Sequence, residues 1–238
     1  MPEDERSRDA LTLLATGTLD VKGRMPWSSN GTFLVAVAGA DTACDAVYKP
    51  VRGERPLWDF PPGLYRREVA AFELDRALGW GFVPETIVRH DAPLGVGSLQ
   101  RFVDASFDEH YFTLLDRPEL HDQLRRIALF DILANNADRK SGHCLLDRDG
   151  WVWGIDHGVC FADEPKLRTV IWDFSGEEVP TRLKDDVARL RDQGLPQRLC
   201  DMLAPEEVDA LLRRIDAVLR MKRFPDPGPG RPYPWPLV

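Results

Sequence analysis

The chain has 238 residues, of which 43% are hydrophobic and 29% are charged, and its formal net charge is −8. This length and composition predict a globular protein of one domain or two small lobes and exclude a disordered chain. The acidic balance, without a basic block, argues against a nucleic-acid partner, because phosphate backbones are bound by clustered lysine and arginine.

The sequence shows no pattern typical of a membrane span or of export. No apolar run approaches the length of a span, and the first residues, Met1–Arg6, are unlike a signal peptide. Scattered cysteines, without the spacing of a disulfide framework, fit a reducing compartment. A zinc site is disfavoured, because His143 and Cys144 are adjacent on a predicted strand and point to opposite faces. We therefore expect a cytoplasmic protein without stable membrane association.

The first half of the chain predicts a small sheet with two helices. A short helix is expected over Ser7–Leu14. β-Branched and apolar runs predict strands at Thr18–Val21, Thr32–Val37, Ala46–Pro50, Thr86–Arg89 and Ser98–Val103. The helix formers of Tyr65–Leu78, stopped by Gly79, predict a longer helix. Glu68 and Phe72 share one face of it, so that Glu68 points inward beside core residues.

The second half is mainly helical. Apolar residues at helical spacing predict helices at Glu119–Ala134, Leu183–Arg191 and Glu206–Met221. The last stretch, Phe224–Val238, is too rich in proline to form a helix or a central strand. We expect it either to pack as an extended strap through Tyr233 and Trp235 or to remain unpacked.

The most informative stretch follows the helix that ends at Ala134. It places Asp138 and Arg139 on a tight loop, turns a hairpin at Asp147–Gly150, and delivers Asp156 at the end of the return strand. Two carboxylates presented in this way suit phosphoryl transfer, in which one orients the acceptor hydroxyl and the other holds the metal that neutralises the phosphate oxygens. The alternative is a surface hairpin whose aspartates only cap turns.

These motifs resemble a known family. Asn136-Ala-Asp-Arg139 and Ile155-Asp-His-Gly158 resemble the catalytic loop and the metal-binding Asp-Phe-Gly of the phosphatidylinositol 3- and 4-kinase group, especially the type II 4-kinases, and HipA-type bacterial kinases share the pattern. Lys49-Pro50, Glu68 and Leu78–Pro84 follow the order of the type II enzymes. The resemblance implies a bacterial member with an α+β, two-lobed, protein-kinase-like fold. It divides the chain into a small antiparallel-sheet N-lobe (1–103), a mainly helical C-lobe (104–223) and a Pro-rich tail (224–238).

The resemblance also implies how ATP is held. A strand lysine paired with a helix glutamate grips the phosphates, donors from the loop between the first two strands cover them, and the main chain of the hinge meets adenine. The residues implied in nucleotide binding are Lys49, Glu68, Ser28, Ser29, Asn30, Gln100, Arg101, Phe102 and Val103.

Catalysis and metal binding are assigned by the same resemblance. Asp138 orients or deprotonates the acceptor hydroxyl, and Arg139 supports the loop or screens developing charge. Asp156 and His143 bind Mg²⁺ or Mn²⁺. Histidine stands where the lipid kinases have a second metal-binding asparagine and favours softer metals than magnesium, so we expect manganese dependence or a weakened second site. His157 replaces the phenylalanine of the motif as a structural substitution.

The sequence therefore predicts an ATP-dependent kinase that phosphorylates a hydroxyl of a protein or of a small soluble molecule. A phosphoinositide is disfavoured, because an anionic membrane calls for more basic residues than the two between Asp156 and Gly176. Two alternatives stay open, a nucleotide-binding pseudokinase that acts as a regulatory module and an AMP transferase on the same fold. A metal-dependent hydrolase is a weaker third, because it leaves Lys49 and Glu68 unused.

Overall fold

The computed structural model describes residues 3–26, 30–106 and 108–238. The strands are β1 (Thr18–Arg24), β2 (Phe33–Ala38), β3 (Ala43–Pro50), β4 (Thr86–Arg89), β5 (Gly97–Arg101), β6 (Cys144–Leu146) and β7 (Val152–Gly154). The helices are α1 (Glu3–Thr16), α2 (Leu64–Leu78), α3 (Tyr111–Leu115), α4 (His121–Ala134), α5 (Thr181–Gln193), α6 (Gln197–Cys200) and α7 (Pro205–Arg220). None of the helices described is long and apolar enough to cross a membrane.

Five strands form an antiparallel sheet in the order β1-β2-β3-β5-β4. The predicted strands are all present, but β1 continues to Arg24, so Lys22 to Arg24 are strand residues and not part of the predicted loop. One face of the sheet buries Val35, Tyr48 and Leu99 against Leu14 of α1. Because side chains alternate along a strand, Lys49 points to the opposite face, where α2 lies.

Helix α2 packs into the core of the helical part of the chain as well as against the sheet. Its apolar residues belong to the same buried cluster as those of α4, α5 and α7. Glu54 accepts hydrogen bonds from the main-chain N–H groups of Gly63 and Tyr65 at 2.9 Å each, which satisfies donors at the start of the helix. Arg67 donates to Glu207 of α7 and to the Cys160 carbonyl. The helix is thereby fixed to both parts of the fold.

The Pro-rich tail packs as an extended strap, but not through its aromatic side chains. Tyr233 is 47% exposed and Trp235 is 87% exposed, so the prediction that they anchor the tail is wrong. Phe224 is buried, and main-chain carbonyls of the tail accept hydrogen bonds from the body of the protein instead. A proline-rich segment has few N–H donors but keeps every carbonyl, which explains this mode of attachment.

The end of α2 buries a carboxylate, that of Asp75, which is 1% exposed. Its Oδ2 accepts the Val83 N–H at 3.1 Å. Burial raises the pKa of Asp75 to about 7, although the nearby amides and Arg126 oppose the shift. The folded protein therefore binds a proton that the unfolded chain releases between about pH 4 and pH 7. Ionisation of Asp75 destabilises the fold as the pH rises through this range.

Replacing Asp75 with asparagine is expected to stabilise the protein at pH 8 more than at pH 5. Asparagine can still accept the Val83 N–H and carries no charge to bury, and the difference corresponds to roughly 1.4 kcal/mol or less per pH unit of the window. Urea unfolding of both proteins at pH 5 and pH 8 measures it. A difference in unfolding free energy that is the same at both pH values would contradict the assignment.

Candidate active site

Lys49 lies on strand β3 and contacts both helix α2 and the end of the hairpin that follows the catalytic loop. Its Nζ donates to the Glu68 carboxylate and lies 2.7 Å from Asp156 Oδ1. Burial opposes the charge of Lys49, but the carboxylates of Asp156 and Glu68 outweigh this and raise its pKa. The same lysine lowers the pKa of Asp156. The predicted contact of Lys49 with Glu68 is present, and Asp156 joins it from 107 residues along the chain.

The backbone that presents Asp156 is strained and tightly packed. Asp156 has φ of +60°, a left-handed conformation that costs a non-glycine residue about 1 kcal/mol or more. Glu68 Oε2 accepts the N–H of the next residue, His157, at 3.0 Å. A Cβ atom at Gly158 would lie 3.2 Å from Glu68 Oε1, so glycine lets the chain pass close to this carboxylate. Helix α2 therefore fixes both Lys49 and the segment that carries Asp156.

Asp138 lies on the loop after α4, and its side chain is one-third exposed. Its N–H donates to Asn136 Oδ1 at 3.0 Å, which fixes the turn. Burial raises the pKa of Asp138, while Lys140 opposes the shift. A carboxylate that is open to solvent and has a raised pKa is suited to accept a proton from a hydroxyl.

Lys140 is a residue of this site that the sequence interpretation missed. Its Nζ lies 3.1 Å from Asp138 Oδ2. The sequence predicted a tight loop here and gave no sign of this contact. It depends on the extended backbone, with φ and ψ of −85° and 163° at Lys140, where side chains two positions apart point to the same side. A cation beside Asp138 adds positive charge where a phosphoryl group would be transferred.

Arg139 points away from this opening into the protein and is fully buried. It donates to both oxygens of Asp131, at 3.0 Å to Oδ2 and 2.9 Å to Oδ1, and to the Ile155 carbonyl at 2.9 Å. A guanidinium enclosed in this way cannot reach a phosphate in the cleft. The catalytic assignment of Arg139 is therefore corrected: of its two predicted roles, screening of developing charge is excluded and support of the loop is retained.

His157 is buried beside Arg139. Its Nε2 lies 2.7 Å from Arg139 Nη2, so the ring accepts this hydrogen bond and carries its proton on Nδ1, which has no partner within the described part of the chain. Burial and then Arg139 lower the pKa of His157 well below its usual value. Phe82 and Phe130 meet the ring edge-on. The neutral histidine thus fills an aromatic position and offers Arg139 one more acceptor.

His143 lies beside Asp156, with its Nε2 3.3 Å from Asp156 Oδ2. Burial lowers the pKa of His143 to about 4, so the ring is neutral at physiological pH. Among the described residues no group of three or more His, Cys, Asp and Glu side chains is arranged to hold a metal. Asp156 fits a divalent ion whose remaining ligands are phosphate oxygens and water, as is usual for magnesium and manganese at nucleotides. His143 Nδ1 accepts the Lys140 N–H at 3.3 Å, so Nε2 carries the ring proton and must lose it for His143 to bind the same ion.

The predicted phosphate loop is held against the segment that follows β3. Asn30 Oδ1 accepts the Arg55 N–H at 3.0 Å, and the Gly31 N–H donates to the Gly53 carbonyl at 2.8 Å. The side-chain oxygen of Asn30 is therefore engaged within the protein. Ser28 and Ser29 lie outside the described residues.

Fewer groups of the predicted hinge, Gln100 to Val103, are free to contact adenine than the sequence suggested. The Arg101 N–H donates to the Glu85 carbonyl at 2.8 Å, and the Phe102 N–H donates to the Asp45 carbonyl at 2.9 Å. The Gln100 side chain donates to Thr86 Oγ1 inside the sheet. These three groups form hydrogen bonds within the N-terminal sheet and its flanking residues. The main-chain contacts with adenine are therefore expected from Val103 and from the hinge carbonyls.

The class of this protein is kinase-like and two-lobed. It is defined by the strand residue Lys49, by its partner Glu68 on α2, and by Asp156 from the helical part of the chain. The chain belongs to the phosphatidylinositol 3- and 4-kinase family. Residues 83–219 match the family model "Phosphatidylinositol 3- and 4-kinase". The resemblance predicted from the Asn136–Arg139 and Ile155–Gly158 motifs is thereby confirmed.

Relatives are found in bacteria and plants. Protein Rv2133c of Mycobacterium tuberculosis is 39% identical over an alignment of 265 positions, which covers 96% of this chain and 95% of that protein. Phosphatidylinositol 4-kinase gamma 3 of Arabidopsis thaliana is 33% identical over an alignment of 101 positions, which covers 40% of this chain. Phosphatidylinositol 4-kinase gamma 4 of Oryza sativa subsp. japonica is 31% identical over an alignment of 165 positions, which covers 53% of this chain. The matches span only 16% and 28% of these two plant proteins.

Two solved structures, one of them a kinase by name, share the fold. The Golgi casein kinase with Mn/ADP bound has a TM-score of 0.59 at 14% identity, covering 92% of this chain and 75% of that one. Hydra Fam20 with sugar has a TM-score of 0.62 at 15% identity, covering 92% and 89%. Together with the five-stranded antiparallel sheet and the helices, they confirm the predicted α+β, kinase-like fold.

Proposed function

We propose that the protein is an ATP-dependent kinase that transfers the γ-phosphate to a hydroxyl of a protein or of a small soluble molecule. The observation that carries the proposal is the contact of Lys49 with both Glu68 and Asp156, which joins the phosphate grip to the metal-binding position. Family membership and the kinase fold support phosphotransfer. The Golgi casein kinase, which shares the fold, has Mn/ADP bound and supports the use of a nucleotide and a divalent metal.

In this proposal each residue has one task. Lys49, oriented by Glu68, binds the nucleotide phosphates, and Val103 with the hinge carbonyls meets adenine. Asp156 and His143 hold Mg²⁺ or Mn²⁺, which neutralises phosphate charge when bound. Asp138 takes the proton of the acceptor hydroxyl while the hydroxyl oxygen bonds to the γ-phosphorus. The bond between the γ-phosphorus and the bridging oxygen of the β-phosphate breaks, and ADP is released. Lys140 offsets the charge on the transferred group.

The acceptor is expected to be a soluble molecule. The segment between Asp156 and Gly176 offers few cations to an anionic surface, and those cations are engaged: Lys166 Nζ donates to the Asp59 carbonyl, and Arg168 Nη2 lies 3.9 Å from Asp59 Oδ2. Asp59 offsets part of the charge of Arg168, and Lys166 keeps its charge, but two cations opposed by Asp163, Glu164 and Asp173 attract acidic headgroups only weakly. A protein or small-molecule hydroxyl fits this surface better.

ATP turnover by the purified protein tests the proposal. The protein is incubated with magnesium or manganese and ATP labelled on the α- or the γ-phosphate. A kinase releases ADP and transfers only the γ-label, to water or to an acceptor. Transfer of the α-label would identify an AMP transferase. Nucleotide binding without turnover in either metal would identify a pseudokinase.

The metal preference depends on His143 in this proposal. A neutral imidazole favours softer ions than an asparagine oxygen does, so His143→Asn is expected to shift the preference from manganese toward magnesium by severalfold. The ratio of turnover rates in the two metals, measured at saturating ATP, gives the result. An unchanged ratio would show that His143 does not ligate the metal.

A further inference from the structure

The C-terminal strap, residues 224–238, reaches the proposed active site. It begins at the buried Phe224, shortly after the end of α7, and runs along the segment that follows Asp156. The Ser175 hydroxyl donates to the Pro225 carbonyl at 2.9 Å, and the Trp172 indole N–H donates to the Pro232 carbonyl at 3.2 Å. The strap is thus attached along its length.

Two of its bonds end near the catalytic loop, one just after it at Ser141 and one on the segment packed against it at Thr169. The Thr169 N–H donates to the Pro232 carbonyl at 3.0 Å, and the Ser141 N–H donates to the Leu237 carbonyl at 2.8 Å. Both donor residues are buried, Ser141 at 0% and Thr169 at 2% exposure. A buried N–H needs an acceptor, and at these two positions the strap supplies it.

These two segments are also bonded to each other. The Arg139 N–H donates to the Arg168 carbonyl at 3.0 Å, and the Val170 N–H donates to the Arg139 carbonyl at 3.1 Å. The Thr169 hydroxyl donates to Asp131 Oδ2 at 3.1 Å, which ties the same segment to the end of α4. The catalytic loop, residues 166–172 and the end of α4 thus form a junction of three hydrogen-bonded parts. The strap bonds to this junction, which includes Arg139, the residue next to Asp138.

The strap does not cover the acidic groups of the site. The side chains of Asp138 and Asp156 remain 33% and 48% exposed. The strap contributes carbonyl oxygens to the junction, whereas Tyr233 and Trp235 face solvent. An inhibitory segment would shield the carboxylates, so this arrangement favours support of the site.

We propose that the C-terminal strap is a positioning element of the active site. Through the Pro232 and Leu237 carbonyls it holds residues 166–172 against the catalytic loop, so that Asp138 keeps its place at the acceptor hydroxyl. This role rests on the proposed kinase function. It predicts that the strap contributes to kcat through its backbone and not through its exposed aromatic side chains.

Shortened chains test this role. A chain ending at residue 236 loses the Leu237 acceptor, and a chain ending at residue 231 loses both acceptors while keeping the buried Phe224. We expect kcat for ATP turnover to fall by roughly 3-fold in the first and roughly 10- to 100-fold in the second, because small displacements of a catalytic group have large effects on rate. In the full-length chain, Trp235→Ala removes an exposed side chain, keeps both carbonyls and is expected to stay within 2-fold of wild type.

Amide hydrogen exchange in the same proteins reports the attachment without requiring turnover. Residues 138–143 and 166–172 are expected to exchange faster in the chain ending at 231 and at the wild-type rate in Trp235→Ala. Unchanged exchange in the shortened chains would overturn the inference, as would wild-type kcat, higher kcat, or an equal loss in Trp235→Ala. Absence of turnover in the wild type would reject the proposed function, and the exchange rates would still decide whether the strap holds the loop.

Discussion

Replacing Asp156 with asparagine is expected to lower the rate of ATP turnover by about 10²- to 10³-fold, the usual effect of removing one preorganised electrostatic group from an active site. Asparagine has the same shape but cannot form an ion pair with Lys49 Nζ, which lies 2.7 Å from Asp156 Oδ1. It is also a poorer ligand for a hard divalent cation. Turnover is measured in magnesium and in manganese at saturating ATP.

The fold is expected to tolerate this change. Asp156 has a positive φ of 60°, and asparagine accepts that conformation at least as well as aspartate does. Glu68 still pairs with Lys49 and still accepts the His157 N–H. Thermal unfolding of the variant should therefore remain close to that of the wild type, so that lost turnover reports on chemistry.

Asp149→Asn is the matched control, because Asp149 is an exposed carboxylate on the turn of the same hairpin. It makes the same change of charge away from Lys49 and should leave turnover unchanged. Wild-type turnover in Asp156→Asn would exclude Asp156 from the reaction. An equal loss in both variants would point to a general effect of charge on the hairpin.

The parts of the site that could be predicted from sequence are those joined by local order. A short apolar run predicted the strand that carries Lys49, the helix formers predicted the helix, and the spacing of Glu68 to Phe72 predicted the face that carries Glu68. These two elements follow one another in the chain, and the structure joins their side chains. The hairpin turn placed Asp156 at the end of the return strand, and the family resemblance implied its role. Only for Glu68 did a periodic pattern predict the direction of the side chain.

The errors arise where tertiary contacts decide. Arg139 is adjacent to Asp138 in sequence, but its partner Asp131 lies on the preceding helix, and only the packed structure shows that both side chains are fully buried. The main-chain N–H groups of Arg101 and Phe102 donate to the carbonyls of Glu85 and Asp45. Neither hydrogen bond can be recognised from the types of residue involved. Main-chain bonding partners have no side-chain signature, so they could not be predicted.

The strap shows the same difficulty in another form. Its aromatic residues suggested anchors, because large apolar side chains are usually buried. In the structure the prolines keep the chain extended, and carbonyl oxygens form the attachments while Trp235 remains exposed. Every residue has a carbonyl, so the sequence could predict an extended segment but not where it would bind.

Replacing Arg139 with leucine is expected to destabilise the protein by about 3–5 kcal/mol, the range measured when one partner of a buried ion pair is removed. Asp131 would remain fully buried, with hydrogen bonds from the Asn136 amide at 2.9 Å and the Thr169 hydroxyl at 3.1 Å but without the paired cation. The Ile155 carbonyl and His157 Nε2 would lose their donor as well. Urea unfolding gives the change in unfolding free energy.

A second substitution separates the buried charge from the loss of shape. In Asp131→Asn/Arg139→Leu the uncompensated carboxylate is gone, while asparagine can still accept from the Asn136 amide through its oxygen and donate to the Thr169 hydroxyl through its amide nitrogen. If the buried charge dominates the loss, the double variant recovers a substantial part of the unfolding free energy that the single variant loses. If the double variant is as unstable as Arg139→Leu, the guanidinium acts chiefly through its bonds to the catalytic loop and the hairpin. A single variant as stable as the wild type would contradict the structural role of Arg139.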